Sequence, residues 1–258
     1  MFMREIERKT LLYKTKVEYG DYTINHVLGC SHGCNFPCYA FSMAKRFGNV
    51  KNYNDWIEPK IVSNALKLLD NEIPKYKNKI KTVQLSFTTD PFMYKQKDII
   101  NLSIDIINRL NQDSIKCVCL TKGIIPKKAL KTAKYNEYGI TLVSLDESFR
   151  KKYEPNTAKY RERIKSLELM HNNGFKTWVS IEPYPTPNII NQNIEGILNE
   201  ISFVDYIVFG RWNYNKLISE FKDNKKYYNE CAKKVKKFCK KYKIKLHIKK
   251  GTIDDKKQ

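Results

Sequence analysis

The feature that most constrains the fold is an alternation of short apolar segments with longer amphipathic ones. The short segments are rich in β-branched residues and often apolar on both faces, as strands buried in a parallel sheet are. The predicted strands are residues 23–29, 82–87, 115–120, 139–145, 175–181 and 204–210, with a last one at 244–249. The predicted helices are residues 59–75, 97–111, 126–136, 158–173, 190–202 and 225–243. Repeated strand–helix units predict an α/β fold, either a parallel barrel or an open parallel sheet.

The length and composition suit one domain with a sizeable core, since the chain has 258 residues of which 41% are hydrophobic. We expect residues 1–22 to form an N-terminal extension, residues 23–215 the barrel, and residues 216–258 a helix and strand that complete the domain. The charged start lacks the apolar stretch of a signal peptide, and no apolar run is long enough to span a membrane. We therefore expect a cytoplasmic protein with reduced thiols.

The formal net charge is +21, from 48 basic and 27 acidic residues. Such a charge favours a nucleic-acid partner, and five lysines of the predicted helix 225–243 could form a phosphate-binding face. However, 40 of the basic residues are Lys and 8 are Arg, whereas specific recognition of phosphates and bases relies more on Arg. A lysine-rich composition is also what an AT-rich genome encodes, so both interpretations remain open.

Polar residues follow each predicted strand at its carboxyl end. In parallel α/β folds these ends meet at one mouth, where functional residues gather. We therefore expect one site built from several distant parts of the chain. Its candidate segments are Cys30, residues 88–91 (TTDP), 121–123 (TKG), 144–148 (SLDES), 182–185 (EPYP) and 210–214 (GRWNY).

Three cysteines follow the first predicted strand at spacings of four, namely Cys30, Cys34 and Cys38. Electron-carrying four-iron clusters use four thiolates, so three would leave one iron free to bind a substrate or cofactor. Zinc, with His32 or a distant cysteine as the fourth ligand, is an alternative. The chain could thus be an enzyme, a zinc-stabilised nucleic-acid-binding module or an iron–sulfur electron carrier.

The cysteine loop resembles that of the radical S-adenosylmethionine (SAM) family, with Tyr39 beside the last cysteine. The spacing here is CxxxCxxxC, one residue longer than the usual CxxxCxxC. The resemblance implies a partial TIM-type (β/α)6 barrel with a short C-terminal extension, a [4Fe-4S] cluster and SAM. It also implies reductive cleavage of SAM to a 5′-deoxyadenosyl radical, oxygen sensitivity, and a one-electron reductant such as flavodoxin or ferredoxin.

Further segments resemble the spore photoproduct lyase branch of that family. The matches are TTDP, Thr121 with Lys122, Ser144, and the EPNT segment at 154–157 followed by Arg163. A zwitterionic cofactor needs acceptors for its ammonium group, for which Thr88, Thr89 and Asp90 are suited. Its carboxylate needs donors, for which Lys122 and Ser144 are suited. Tyr39 could shield the cluster and contact the adenine, and Glu182 could contact the cofactor ribose or the substrate.

The resemblance fails at one position that matters for the reaction. The lyase has a cysteine directly before the matching segment, where it returns a hydrogen atom to the substrate, and this chain has Phe87. We therefore do not expect spore photoproduct repair. An Arg with aromatic neighbours can stack a base, which makes a nucleic-acid substrate possible. The candidate substrate residues are Arg163, Arg211, Trp212 and Tyr214.

Overall fold

The computed structural model describes residues 3–16, 19–35, 38–213 and 215–253. Its strands are β1 (Arg4–Ile6), β2 (Leu12–Lys14), β3 (Tyr22–Ile24), β4 (Val27–Leu28), β5 (Lys60–Val62), β6 (Thr82–Leu85), β7 (Lys116–Thr121), β8 (Glu137–Thr141), β9 (Lys176–Tyr184), β10 (Tyr206–Arg211) and β11 (Lys245–Ile248). Its α-helices are α1 (Tyr39–Arg46), α2 (Tyr53–Ile57), α3 (Ala65–Tyr76), α4 (Lys97–Gln112), α5 (Glu147–Tyr153), α6 (Tyr160–Asn172), α7 (Ile194–Glu200), α8 (Lys216–Glu220) and α9 (Asn224–Tyr242). A 3₁₀ helix spans Lys127–Lys131.

The main sheet has eight strands in the order β11-β10-β9-β8-β7-β6-β3-β2. Its neighbours pair in parallel from β3 to β11, and β2 pairs with β3 in antiparallel fashion. Among the described strands, β2 and β11 are the two edges, so the sheet resembles a partial barrel rather than a closed one. The predicted α/β class with parallel strands is thus confirmed.

The first predicted strand is in fact two strands. β3 ends at Ile24, and β4 leaves the main sheet to pair with β5 in a second sheet of order β1-β5-β4. The break has a physical cause in two polar side chains. His26 is fully buried with its Nε2 atom 2.7 Å from Ser103 Oγ, and Asn25 Oδ1 accepts hydrogen bonds from both Thr88 N and Thr88 Oγ1. These contacts turn the chain before the cysteine loop begins.

Two helix predictions were wrong at their limits. Residues 60–62 form strand β5 instead of the start of a helix, and α3 begins at Ala65. The predicted helix 126–136 is reduced to the short 3₁₀ helix. There, Thr132 and Asn136 redirect the chain, because Thr132 Oγ1 donates to Ala129 O and Asn136 N donates to Ala133 O. The remaining predicted helices agree with the structure to within a few residues.

The hydrophobic core lies mainly between the sheet and its helices. Cys117, Cys119, Cys231 and Cys239 are buried in it. A separate, smaller cluster consists of Val118, Trp178 and Val208 from β7, β9 and β10. In the part of the chain that the structure describes, no helix is long and apolar enough to cross a membrane.

Candidate functional site

A cavity of about 470 Å³ lies at the carboxyl ends of the main-sheet strands. It brings together most of the residues predicted from the sequence, although they come from segments far apart in the chain. Ser144 and Arg163 are not among its lining residues, and Tyr214 lies outside the described residues. The predicted residues that line it are Cys30, Cys34, Cys38, Tyr39, Thr88, Thr89, Asp90, Lys122, Glu182, Arg211 and Trp212.

The cysteine loop is anchored at both ends of its described part. Gly29 has φ +91°, and a Cβ atom there would lie 2.6 Å from the carbonyl oxygen of Trp56, so this close approach requires glycine. Cys30 N donates to the same carbonyl at 2.8 Å. On the other side, Asn35 N donates to Tyr153 O at 2.9 Å. The loop is therefore held against α2 and α5.

The three cysteines of the loop are free thiols on one side of the cavity. Burial raises the pKa of the Cys34 thiol to about 12, Lys122 acts to lower it, and Cys38 raises it. Burial likewise raises the pKa of Cys30, with Cys34 as a second cause. The thiols are thus close enough to influence one another. Among the described residues, no group of three or more His, Cys, Asp or Glu side chains is arranged so that it could hold a metal ion.

His32, the candidate fourth zinc ligand, is used inside the protein. Its Nε2 atom accepts a hydrogen bond from Tyr94 N at 3.0 Å, and its Nδ1 atom lies 3.6 Å from Asp90 Oδ2. Burial lowers the pKa of His32 to about 4, with Asp90 opposing this effect. The imidazole is therefore neutral at physiological pH, and it ties the cysteine loop to the segment after β6.

Asp90 joins the ends of two neighbouring strands. Its Oδ1 atom accepts hydrogen bonds from Thr121 Oγ1 at 2.6 Å and Phe92 N at 2.9 Å. Its Oδ2 atom accepts one from Lys122 N at 2.7 Å. These bonds occupy most of the four acceptor positions of the carboxylate. By contrast, the neighbouring Thr89 Oγ1 is buried in the cavity wall and has no hydrogen-bond partner among the described residues.

A buried ion-pair network lies behind Cys34. Lys122 Nζ is 3.9 Å from Cys34 Sγ and 2.7 Å from Glu154 Oε1, and Glu154 Oε2 lies 2.8 Å from Arg163 Nη2. Glu154 and Arg163 are both 0% exposed. Burial acts to raise the pKa of Glu154, but Lys122 and Arg163 lower it to about 2. Burial likewise acts to lower the pKa of Lys122, and Cys34 and Glu154 nevertheless raise it.

Two predicted contact residues serve the protein interior instead. Arg163 donates to Thr141 O, Ala158 O and Thr157 Oγ1 as well as to Glu154, so four of the five N–H donors of its guanidinium group are used inside the protein. Ser144 is 0% exposed, and its Oγ atom accepts a hydrogen bond from Asp146 N at the start of α5. The side chains of Arg163 and Ser144 thus do not reach the cavity. The sequence motif identified these residues but did not show which way their side chains point.

Aromatic side chains form the rest of the mouth. Tyr39 donates its hydroxyl hydrogen to Phe87 O at 2.9 Å, and the two rings are 5.6 Å apart. Trp212 is only 2% exposed, and its ring packs edge-on against Tyr153. Arg211 donates from Nε to Asn213 Oδ1 at 2.7 Å. Trp212 therefore presents little of its ring to a stacking base.

Sequence reasoning missed the polar interior of the cavity. Gln84, Thr141 and Ser180 lie on β6, β8 and β9 and line the cavity, and none is more than 5% exposed. Gln84 Oε1 is buried and has no hydrogen-bond partner among the described residues. Lys249, after β11, lies at the mouth with Nζ 3.8 Å from Glu182 Oε2. The available signal was strand alternation, because a polar residue inside a buried apolar strand points away from the core.

The fold and the site together define a parallel α/β protein with a three-thiol loop at the carboxyl ends of its strands. A family model of the Radical SAM superfamily matches residues 24–201. The chain therefore belongs to the Radical SAM superfamily, as the cysteine loop predicts. Members of this family are enzymes that bind a [4Fe-4S] cluster and SAM and need a reductant.

The chain is also similar to three individual proteins. An uncharacterized protein, ORF301 of Acidianus two-tailed virus, is 26% identical over 193 residues, which are 70% of this chain and 61% of the viral protein. Spore photoproduct lyase complexed with dinucleoside spore photoproduct has a TM-score of 0.70 at 14% identity, covering 94% of this chain and 80% of the lyase. SuiB of Streptococcus suis bound to S-adenosylmethionine has a TM-score of 0.53 at 14% identity, and the match covers 71% of this chain and 43% of SuiB. At these identities the two structures support the fold alone.

Proposed function

We propose that Cys30, Cys34 and Cys38 ligate the [4Fe-4S] cluster and that the chain cleaves SAM reductively. The observation that carries this proposal is that the three loop thiols line one cavity, whose wall also holds a largely buried lysine. The described side chains are not arranged around a metal ion, so the thiols would draw together when the cluster binds. The donor set fits the cluster, because three thiolates leave one iron free for SAM. When bound, these cofactors supply a 5′-deoxyadenosyl radical, which abstracts hydrogen from a substrate in the same cavity.

Lys122 and Thr89 are the protein groups best placed to hold SAM. Lys122 Nζ lies beside Cys34 and is fixed by Glu154, so it can donate to the cofactor carboxylate. Thr89 Oγ1 can accept from the ammonium group, because no described residue forms a hydrogen bond with that atom. Asp90 contributes by positioning the Lys122 backbone and adds negative charge near the ammonium group. Tyr39 covers the cavity wall directly after the last cysteine.

The substrate differs from that of spore photoproduct lyase in this proposal. Phe87 lines the cavity, and it stands at the sequence position where the resemblance places the cysteine of the lyase. Apart from the three loop cysteines, no thiol is among the described residues that line the cavity, and Cys117 and Cys119 lie in the core. A mechanism that returns hydrogen from a protein thiol therefore has no suitable donor among the described residues at this site.

A nucleic acid is our candidate for the substrate of this enzyme. The net charge of +21 and the basic residues Arg211 and Lys249 at the mouth support it. Phosphate contacts would make binding fall steeply with salt. Titration of labelled single-stranded DNA and RNA at two salt concentrations tests this. Affinity no greater than that of an unrelated protein of equal charge would remove nucleic acid as the substrate.

The proposal places the enzyme in the cytoplasm with a flavodoxin or ferredoxin as reductant.

The test of the main proposal is anaerobic reconstitution followed by an assay for 5′-deoxyadenosine. We expect about four irons per chain, a broad visible band, and 5′-deoxyadenosine on addition of SAM and dithionite. Cys34→Ala should lose the iron, the band and the product. The matched control is Cys239→Ala, which removes a buried thiol far from the loop on α9 and should keep all three. Stoichiometric zinc without sulfide in protein kept free of oxygen would refute the proposal.

A further inference from the structure

An exposed apolar stripe runs along α1, the helix that begins directly after Cys38. Tyr39 and Met43 are four residues apart and lie on one face of α1. Phe47, the residue at the C-terminal cap of α1, follows four residues later, and its N donates to Met43 O at 3.0 Å. The exposures of the three side chains are 44%, 38% and 66%, which is unusual for such side chains in one group. Contiguous exposed apolar surface of this kind marks a binding site. We call these three residues, with Lys45 and Arg46, the α1 surface.

The segment that carries the α1 surface is basic, and the first acidic residues after it, Asp55 and Glu58, are paired with Lys60 and Arg4. Lys45 and Arg46 are exposed in the last turn of α1, and no Asp or Glu occurs from residue 31 to residue 54. The C-terminal end of α5 adds exposed Lys151 and Lys152 beside the cysteine loop, because Asn35 Nδ2 donates to Lys152 O at 3.0 Å. An apolar centre with an Arg and a basic rim is the composition of a protein interface that fits an acidic partner.

The position of the α1 surface selects the kind of partner. Tyr39 belongs both to the exposed stripe and to the wall of the cavity that holds the three thiols. A protein bound to this surface would thus contact a residue that also lines the cavity. Because the proposed function needs an electron from outside, we propose that the α1 surface binds an acidic one-electron donor protein of the flavodoxin type. This inference rests on the proposed function.

The electron transfer that such docking serves is simple to balance. The flavin hydroquinone of the donor loses one electron and one proton and becomes the neutral semiquinone. The oxidised cluster gains that electron, and the proton passes to solvent. A nucleic acid is a less suitable occupant, since Met43 and Phe47 offer phosphates no hydrogen bond. A second copy of this chain would bring its own basic rim against this one, and like charges repel.

Two readouts test the proposal with the double variant Met43→Glu/Phe47→Glu. The first is binding of purified oxidised flavodoxin to the protein without its cluster, measured by calorimetry at low and high salt. Wild-type binding should weaken with salt, and the variant should bind about tenfold or more weakly. The second is the rate of 5′-deoxyadenosine formation. With reduced flavodoxin this rate should fall by a similar factor, and with dithionite it should stay unchanged, because dithionite needs no docking surface.

The matched control is Leu217→Glu, which places a carboxylate at an apolar residue of α8 that is 46% exposed and outside the α1 surface. It should retain flavodoxin binding and both rates. Equal flavodoxin affinity in the wild type and the double variant would overturn the docking proposal. The proposal would also be overturned if DNA, or a second copy of the chain, bound the wild type more tightly than flavodoxin does and this binding were lost in the double variant. Flavodoxin binding without any dithionite-driven product in the wild type would instead refute the proposed function and leave the docking surface intact.

Discussion

Replacing Glu154 by glutamine removes the negative charge that lies between two buried cations. Glu154 is 0% exposed and lies 2.7 Å from Lys122 Nζ and 2.8 Å from Arg163 Nη2. Removing one partner of a buried pair leaves an uncompensated charge, which destabilises by about 3–5 kcal/mol. A pKa unit corresponds to about 1.4 kcal/mol, so the drop in the Glu154 pKa from 4.5 to about 2 corresponds to about 3 kcal/mol. We expect a loss of this size in the variant.

The assay is equilibrium unfolding in urea, without oxygen and without the cluster, at pH 7. The matched control is Glu137→Gln, whose partner Lys116 lies at a similar distance of 2.5 Å but whose side chain is 25% exposed. An exposed pair contributes about 1 kcal/mol or less, so the control should change little. If both variants lost the same small amount, the argument that the buried network stabilises the protein would be refuted.

The pH dependence provides a second check on Glu154. Its folded pKa is lowered, so its stabilising effect is present above the unfolded value of 4.5 and is lost as the pH falls toward about 2. Wild-type protein should therefore lose stability over this range by more than Glu154→Gln does. Parallel curves for the two proteins would show that the carboxylate keeps an ordinary pKa.

Four further results are expected. Lys122→Ala should weaken SAM binding by about tenfold to a hundredfold, measured by equilibrium dialysis, because a charge-assisted hydrogen bond is lost; unchanged binding would remove Lys122 from the site. Gln84→Leu should raise the free energy of unfolding by about 1–3 kcal/mol, since Oε1 is buried without a partner; a loss in urea unfolding would contradict this. Gly123→Ala should lower thermal stability, because its Cβ atom would lie 1.9 Å from Phe92 O, a backbone atom; an unchanged melting temperature would contradict this. Burial, and then Arg8, lower the pKa of His26 to about 3, so the wild type should lose stability as the pH falls below about 6.5 and His26→Gln should lose less.

The sequence was sufficient for the parallel sheet and for the place of the site. Strands β6 to β11 are short and apolar between amphipathic segments, so their type follows from periodicity alone. Because they are parallel, their carboxyl ends had to meet, and this brought Asp90, Lys122 and Glu182 to one cavity. The first strand was harder, since the break after Ile24 depends on a buried contact between His26 and Ser103, residues 77 apart in the chain.

The direction of individual side chains was beyond the sequence. Arg163 and Lys122 both matched the family pattern, yet one is fully buried and the other lines the cavity. Glu154 lies between the two, since it forms an ion pair with each and is itself 0% exposed and absent from the cavity lining. Gln84 was missed for the opposite reason. It lies in an apolar strand and belongs to no motif, and only the sheet geometry shows that it points into the cavity.

Because of the buried ion-pair network, substitutions of Lys122 and of Glu154 should have different effects on SAM binding and on the stability of the fold. Without Lys122, Glu154 and Arg163 remain as a neutral pair with their other hydrogen bonds intact. Without the charge of Glu154, two cations face each other in the interior. Lys122→Ala should therefore impair the cofactor site more than the fold, and Glu154→Gln should impair both. Because Lys122 also lowers the pKa of Cys34, its loss should make thiolate formation at Cys34 harder. Iron content must accordingly be measured in the same Lys122→Ala sample as SAM binding. Full iron with weakened SAM binding would assign Lys122 to the cofactor, and reduced iron would assign it to the cysteine loop.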